Sequence, residues 1–272
     1  MCVICRNEYH GERVIHCEGC PNLTYLPIIP GVEELWCDRC TSLTHVPVIP
    51  GLKKLMCSDC TSLTQIPVIP GLKKLWCDDC TSLTQLPVIP GLKGLDCSGC
   101  TNLTEIPVIP GLKVLTCEEC TNLTEIPMIP GLEKLACSGC TNLTEIPVIP
   151  GLKELWCCRC TILTKILIPG LKTLVCFDCT TLTQIPIIPR LKGLECDGCP
   201  WVEQKNRDFQ QNIAKLLKLQ KWVRKWHKFR VLRRWMKTEE FVRWYYHPEN
   251  PGGLRQKAKM RRMFSDIQSS LN

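Results

Sequence analysis

The chain has 272 residues and a mass of 31.0 kDa, with an ordinary 44% apolar share but 23 cysteines. Its net charge of +8 is split, because residues 203–272 hold 18 Lys+Arg against 6 Asp+Glu, which leaves 16 against 20 for residues 1–202. No stretch reaches the ~18 consecutive apolar residues of a membrane span, the start (MCVICRNEYHGER) lacks the apolar run of a secretory leader, and neither a Gly-rich phosphate loop nor a recurring nucleophile–base–acid set stands out. These features lead us to expect a non-enzymatic protein, with the reducing cytosol or nucleus as its compartment, where cysteines stay thiols or bind metal.

Residues 1–12 precede any repeat and read as an N-terminal cap segment carrying Cys2 and Cys5. From residue 13 to residue 200 one phrase of roughly 20 residues recurs about ten times, a clean copy being GLKKLWCDDCTSLTQLPVIP from Gly71 to Pro90. A unit this short cannot bury its own apolar side chains. It is stable only when neighbours stack and share a core, so these residues predict a solenoid. In the copy from Leu52 to Pro70, Leu52, Leu55 and Cys57 have the spacing of a short strand with alternate residues pointing inward. Cys60, Leu63, Ile66 and Ile69 continue the inward set. The two prolines of Ile66-Pro67-Val68-Ile69-Pro70 forbid a helix, so the return segment should be extended.

Written out, the phrase is L-x-x-L-x-C-x-x-C-x-x-L-T-x-I-P-x-I-P, which resembles the leucine-rich repeat, whose ninth position is Asn or Cys. The prolines resemble the L-P-x-L-P convex segments of bacterial secreted effectors. The resemblance implies a mainly β solenoid: an arc with a parallel concave sheet and an extended convex side. It also implies that Cys40, Cys60, Cys80, Cys100, Cys120, Cys140, Cys160, Cys179 and Cys199 turn inward and satisfy backbone amides where the strand bends. One copy departs from the pattern: Thr161 to Pro169 reads TILTKILIP, one residue and one proline short, so a tighter convex turn is expected there, with the ladder recovering at Leu171.

Strand residues that alternate with the core should face the concave side. One such column runs His16, Trp36, Met56, Trp76, Asp96, Thr116, Ala136, Trp156, Val175, Glu195, and its neighbour contains Asp38, Ser58, Asp78, Cys158 and Phe177. These positions vary between copies while the core slots hardly change, as expected of a reading surface. Trp36, Met56 and Trp76 should form one apolar strip, and Trp156, Val175 and Phe177 a smaller one. A protein partner on these strips is the expected function, and the competing readings are that the tryptophans merely cover the sheet or that the tail folds back over them. Cys158, the one cysteine outside a C-x-x-C pair, should face solvent.

Successive cysteine pairs read C-x2-C-x16-C-x2-C, within the window for zinc sites. Both cysteines of a pair also occupy inward positions, where free thiols pack as small apolar groups, and duplication spreads a founder's cysteines. Strand spacing of about 4.8 Å leaves buried thiols, zinc or iron–sulfur, and a disulfide ladder all open. Cys2 and Cys5 are not explained by the repeat. Cys2, Cys5, Cys17 and Cys20 are therefore the candidate zinc ligands, with His10 and His16 as substitutes, and no other cofactor is expected.

Residues 201–272 shift to helical spacing and read as a small, basic, Trp-rich α-helical C-terminal region. Arg224, Lys225, Lys228, Arg230, Arg233 and Arg234 interleave with Trp222, Trp226 and Trp235. A capping helix with a solvated basic face, nucleic acid, a protein target and an anionic membrane are the readings open to this tail. The near-identical cysteine repeats followed by WYYHPENPGG resemble leucine-rich repeat proteins encoded by giant DNA viruses, which implies the host cytoplasm.

Overall fold

The computed structural model describes residues 2–183, 185, 188 and 190–200. The chain divides into two units, Met1–Asp208 and Phe209–Asn272, and every described residue belongs to the first. The basic tail residues Arg224, Lys225, Lys228, Arg230, Arg233 and Arg234 lie outside the described residues.

A four-residue helix, α1 (Val3–Arg6), comes first. Ten three-residue strands follow: β1 (Val14–His16), β2 (Glu34–Trp36), β3 (Lys54–Met56), β4 (Lys74–Trp76), β5 (Gly94–Asp96), β6 (Val114–Thr116), β7 (Lys134–Ala136), β8 (Glu154–Trp156), β9 (Thr173–Val175) and β10 (Gly193–Glu195). They form one parallel sheet in chain order. Parallel neighbours need a return path, and from β1 through β9 each is a proline-containing segment without a helix. The register puts equivalent residues opposite one another, as in Leu55↔Leu75 and Met56↔Trp76. A slip by one residue would turn every core leucine to solvent, so the buried face specifies the pairing.

The core is a stack of identical layers. Leu52, Leu55, Cys57, Cys60, Leu63 and Ile69 are each fully buried, and their counterparts repeat through the neighbouring coils. No polar or charged residue is buried among the described residues. Each such leucine contributes about 1.5–3 kcal/mol on burial, and only stacking realises it. In the short copy Ile166 and Ile168 are buried while Leu167 stands out, and Leu171 restores the core. The ladder resumes with Leu155 opposite Leu174, an offset of 19 residues where earlier coils have 20.

The ninth-position cysteines turn inward as expected, with backbone N–H groups of Cys20, Cys160 and Cys179 reaching the sulfurs of Cys40, Cys179 and Cys199, and their S–H groups do further work. Each thiol donates to a backbone carbonyl of the preceding coil, Cys60 to Cys37 at 3.2 Å, Cys100 to Cys77 at 3.1 Å and Cys140 to Cys117 at 3.0 Å. The bend therefore uses the S–H as a donor that closes one coil onto the last. The first cysteine of each pair meets the second cysteine of the next coil. That sulfur contact, and then burial, push the Cys57, Cys77, Cys97, Cys117 and Cys137 thiols well above their ordinary range. A dry thiolate would lack the water that stabilises its charge, so this interior column is protonated.

Between the two cysteines the chain turns through a left-handed residue. Gly99 (φ 67°) and Gly139 (φ 73°) suit it, but Asp59, Asp79, Glu119 and Arg159 adopt it at 55–57°. L-residues pay about 1 kcal/mol or more there, which the stacked coils on either side sustain. A Cβ on Gly99 would fall onto the Asp79 carboxylate, and one on Gly139 would sit 2.9 Å from Glu119 Cγ. An acidic side chain thus lies across the bare glycine of the next coil.

Candidate partner-binding face

The residues that alternate with the buried strand leucines lie on the outer face of the sheet in continuous columns. His16, Trp36, Met56, Trp76, Asp96, Thr116, Ala136, Trp156, Val175 and Glu195 are successive partners in the ladder. Trp36, Met56 and Trp76 are therefore immediate neighbours, each half-buried. The strip continues into His16, whose ring lies 4.8 Å from that of Trp36 with planes tilted by 46°. At the other end Lys74 Nζ sits 5.4 Å over the Trp76 ring, a cation–π contact. Trp156 and Val175 are partners on β8 and β9, and the half-buried Phe177 lies in the next column. The half-buried Cys158 sits in that column too, its N–H donating to Ser138 Oγ at 3.3 Å.

The flanks are charged. On one side Lys54 pairs with Glu34, and Lys134 with Glu154, each at 2.8 Å. On the other side lie Asp38, Asp78 and Glu118, with Ser58 Oγ donating to Asp78 and Ser58 N–H to Asp38 Oδ1 at 2.9 Å. Burial raises the Asp38 and Asp96 carboxyls above the usual carboxylate range, and neighbouring carboxylates reinforce it, Glu18 and Asp78 on Asp38, Asp78 and Glu118 on Asp96. Burial raises Asp79 as well, and Asp59 and Asp78 add to it. Carboxylates crowded and partly dried in this way would be relieved by a positive group laid over them. Sequence spacing marked the column but not this strain, which depends on how close equivalent residues of adjacent coils come.

The opposite side carries a row that sequence reasoning missed. Ile28, Val48, Val68, Val88, Val108, Met128, Val148 and Leu167 stand between or beside the prolines, each 44–62% exposed. The signal was present: a P-x-I-P whose second residue is always apolar. That row is nearly uniform, whereas the sheet face changes from coil to coil.

At the N-terminal edge Cys2, Cys17 and Cys20 come together, and Cys5 approaches Cys20. Cys2 caps α1, and its sulfur accepts the Cys5 N–H at 3.4 Å. Cys5 and Cys20 sulfurs are 3.5 Å apart, and the sulfurs of Cys2, Cys17 and Cys20 lie within 4.8 Å of one another. Burial, together with the Cys2 and Cys20 thiols, pushes Cys5 up to about 12. Burial alone would raise Cys20 too, but the N–H groups of Cys2 and Asn22 and the thiols of Cys2 and Cys5 converge on its sulfur and lower it to about 7. Of the two histidines offered as substitutes, His16 lies tilted against Trp36 and faces Glu18 Oε1 at 3.8 Å, and exposed His10 donates its backbone N–H to Glu12 Oε2 at 2.6 Å.

No protein-family model and no curated protein matches this chain. Among solved structures, the chain is similar to the leucine-rich repeat domain of the type III effector XopL at 21% identity, over 69% of this chain and 77% of that one, with a TM-score of 0.57. A leucine-rich repeat protein from Bacteroides ovatus aligns at 16% identity over 68% of this chain and 80% of that one, with a TM-score of 0.26. No helix among the described residues is long and apolar enough to cross a membrane. Parallel strands every 20 residues, a leucine and thiol core, and the likeness to the effector domain together give the conclusion: this chain has the leucine-rich repeat fold.

Proposed function

We propose that the chain is a non-catalytic interaction module that holds a protein partner on the concave sheet face. One observation carries this reading: the register sets Trp36, Met56 and Trp76 side by side next to the partly buried carboxyls of Asp38 and Asp96. An aromatic strip can bury apolar anchors, and desolvated aromatics dominate protein interfaces. The flanking acids select a partner segment that places Lys or Arg beside its apolar residues. The exposed row on the opposite side is a weaker candidate, because a nearly uniform ridge cannot distinguish one segment from another. Interior thiols that must keep their hydrogens to cap each coil suit a reducing compartment, in line with cytoplasmic residence.

The test is quantitative pull-down with the full chain, comparing wild type, Trp36→Ala/Trp76→Ala, and Val108→Ser/Met128→Ser on the opposite side. A partner lost at least about tenfold with the tryptophan pair, equivalent to 1.4 kcal/mol or more, and retained with the other supports the reading. An unchanged bound set in the tryptophan variant refutes it.

A further inference from the structure

We propose that Cys2, Cys5, Cys17 and Cys20 bind one zinc ion that fastens the N-terminal cap to the first coil. Along the solenoid, the second thiol of each pair donates to a carbonyl of the preceding coil. Such a thiol needs its proton. The cap breaks this pattern. Cys2, Cys17 and Cys20 form the single group of three or more converging His, Cys, Asp or Glu side chains among the described residues, and Cys5 joins it 3.5 Å from Cys20.

The spacing fits the metal. Tetrahedral Zn–S bonds near 2.3 Å place sulfurs about 3.8 Å apart; Cys5 and Cys20 sulfurs lie 3.5 Å apart and those of Cys2, Cys17 and Cys20 no more than 4.8 Å from one another. The backbone is shaped for it as well. Helix α1 is a single turn whose N-cap is a ligand, and it closes Cys5 N–H onto the Cys2 sulfur at 3.4 Å. An N–H aimed at sulfur stabilises the thiolate that zinc requires. Four thiolates without histidine or an open position make a closed site, which is structural in character and not catalytic.

The need for such a clamp follows from the cap's poverty in apolar contacts. Among residues 2–12 only Ile4 is buried, with Tyr9 partly packed against the core. Sealing the first layer of a solenoid demands a stable end, and one buried isoleucine contributes only about 1.5–3 kcal/mol. Zinc joining the α1 turn (Cys2, Cys5) to the first coil (Cys17, Cys20) supplies the missing connection. The ladder alone explains one sulfur from the cap meeting Cys20. It does not explain two.

The experiment measures metal on the untagged full chain purified under reducing conditions, by elemental analysis and by cobalt replacement. The expected result is about one zinc per chain, replaced by cobalt with thiolate charge-transfer absorption and the strong visible bands of a tetrahedral site. In Cys2→Ser/Cys5→Ser the zinc falls at least fivefold while circular dichroism of the sheet persists, since both residues lie outside the repeat. Cobalt titration of the wild type tests the site even if the variant fails to fold. Wild type without zinc and without cobalt–thiolate absorption overturns the proposal. Iron in place of zinc, or zinc unchanged in the double variant, overturns it equally.

Discussion

Replacing Cys100 by alanine tests what the ninth-position thiol does. Its sulfur is fully buried and donates to the Cys77 carbonyl at 3.1 Å. Removing it deletes one heavy atom from a packed layer, worth about 1 kcal/mol. It also deprives a buried carbonyl of this donor, worth about 1–3 kcal/mol more. Cys97 is the matched control. It is equally buried, but its S–H reaches the Thr116 carbonyl at only 3.5 Å, and that oxygen already accepts the Cys97 N–H at 2.9 Å. Cys97→Ala should therefore cost only the packing, about 1 kcal/mol, and Cys100→Ala about 2–4 kcal/mol. Urea unfolding of the full chain with reductant, followed by circular dichroism, measures both. Nearest-neighbour coupling in a stacked array makes the loss local at first, so the transition should also broaden. If Cys97→Ala is as costly as Cys100→Ala, the hydrogen bond is not the reason for cysteine at this position.

Alkaline pH should unfold the solenoid through its thiols. Thiols such as Cys77 and Cys117 are raised above their ordinary value near 9, so the unfolded chain loses protons first. Stability is intact below about pH 9 and falls as pH climbs from there toward the folded values, by about 1.4 kcal/mol per thiol for each unit of difference; urea midpoints at pH 7 and pH 10 that coincide would contradict this. Gly99→Ala should cost about 1–2 kcal/mol from its left-handed backbone, plus the clash with Asp79. In a double-mutant cycle, Asp79→Ala should recover the clash but not the backbone cost, and strict additivity would show that the two residues do not touch.

Much of this molecule was legible in one dimension. The interval of Leu52, Leu55, Cys57, Cys60, Leu63 and Ile69 marks an inward set that no isolated coil can bury, and prolines in the return segment exclude a helix. Stacking, strand position and the column from His16 to Glu195 follow, because one register satisfies every coil at once. Three things were decided only by the assembled coils. Ninth-position sulfurs donate to carbonyls of the preceding coil, since the nearest polar group at the bend belongs to another layer. Asp38 and Asp96 are dried and crowded because neighbours 20 or more residues distant share one narrow face. Cys2, Cys17 and Cys20 converge at the N-terminal edge, with Cys5 beside Cys20, where the α1 turn sits against the first coil in place of another repeat. Periodicity states which way a side chain points; what it meets there is set by the distance between layers.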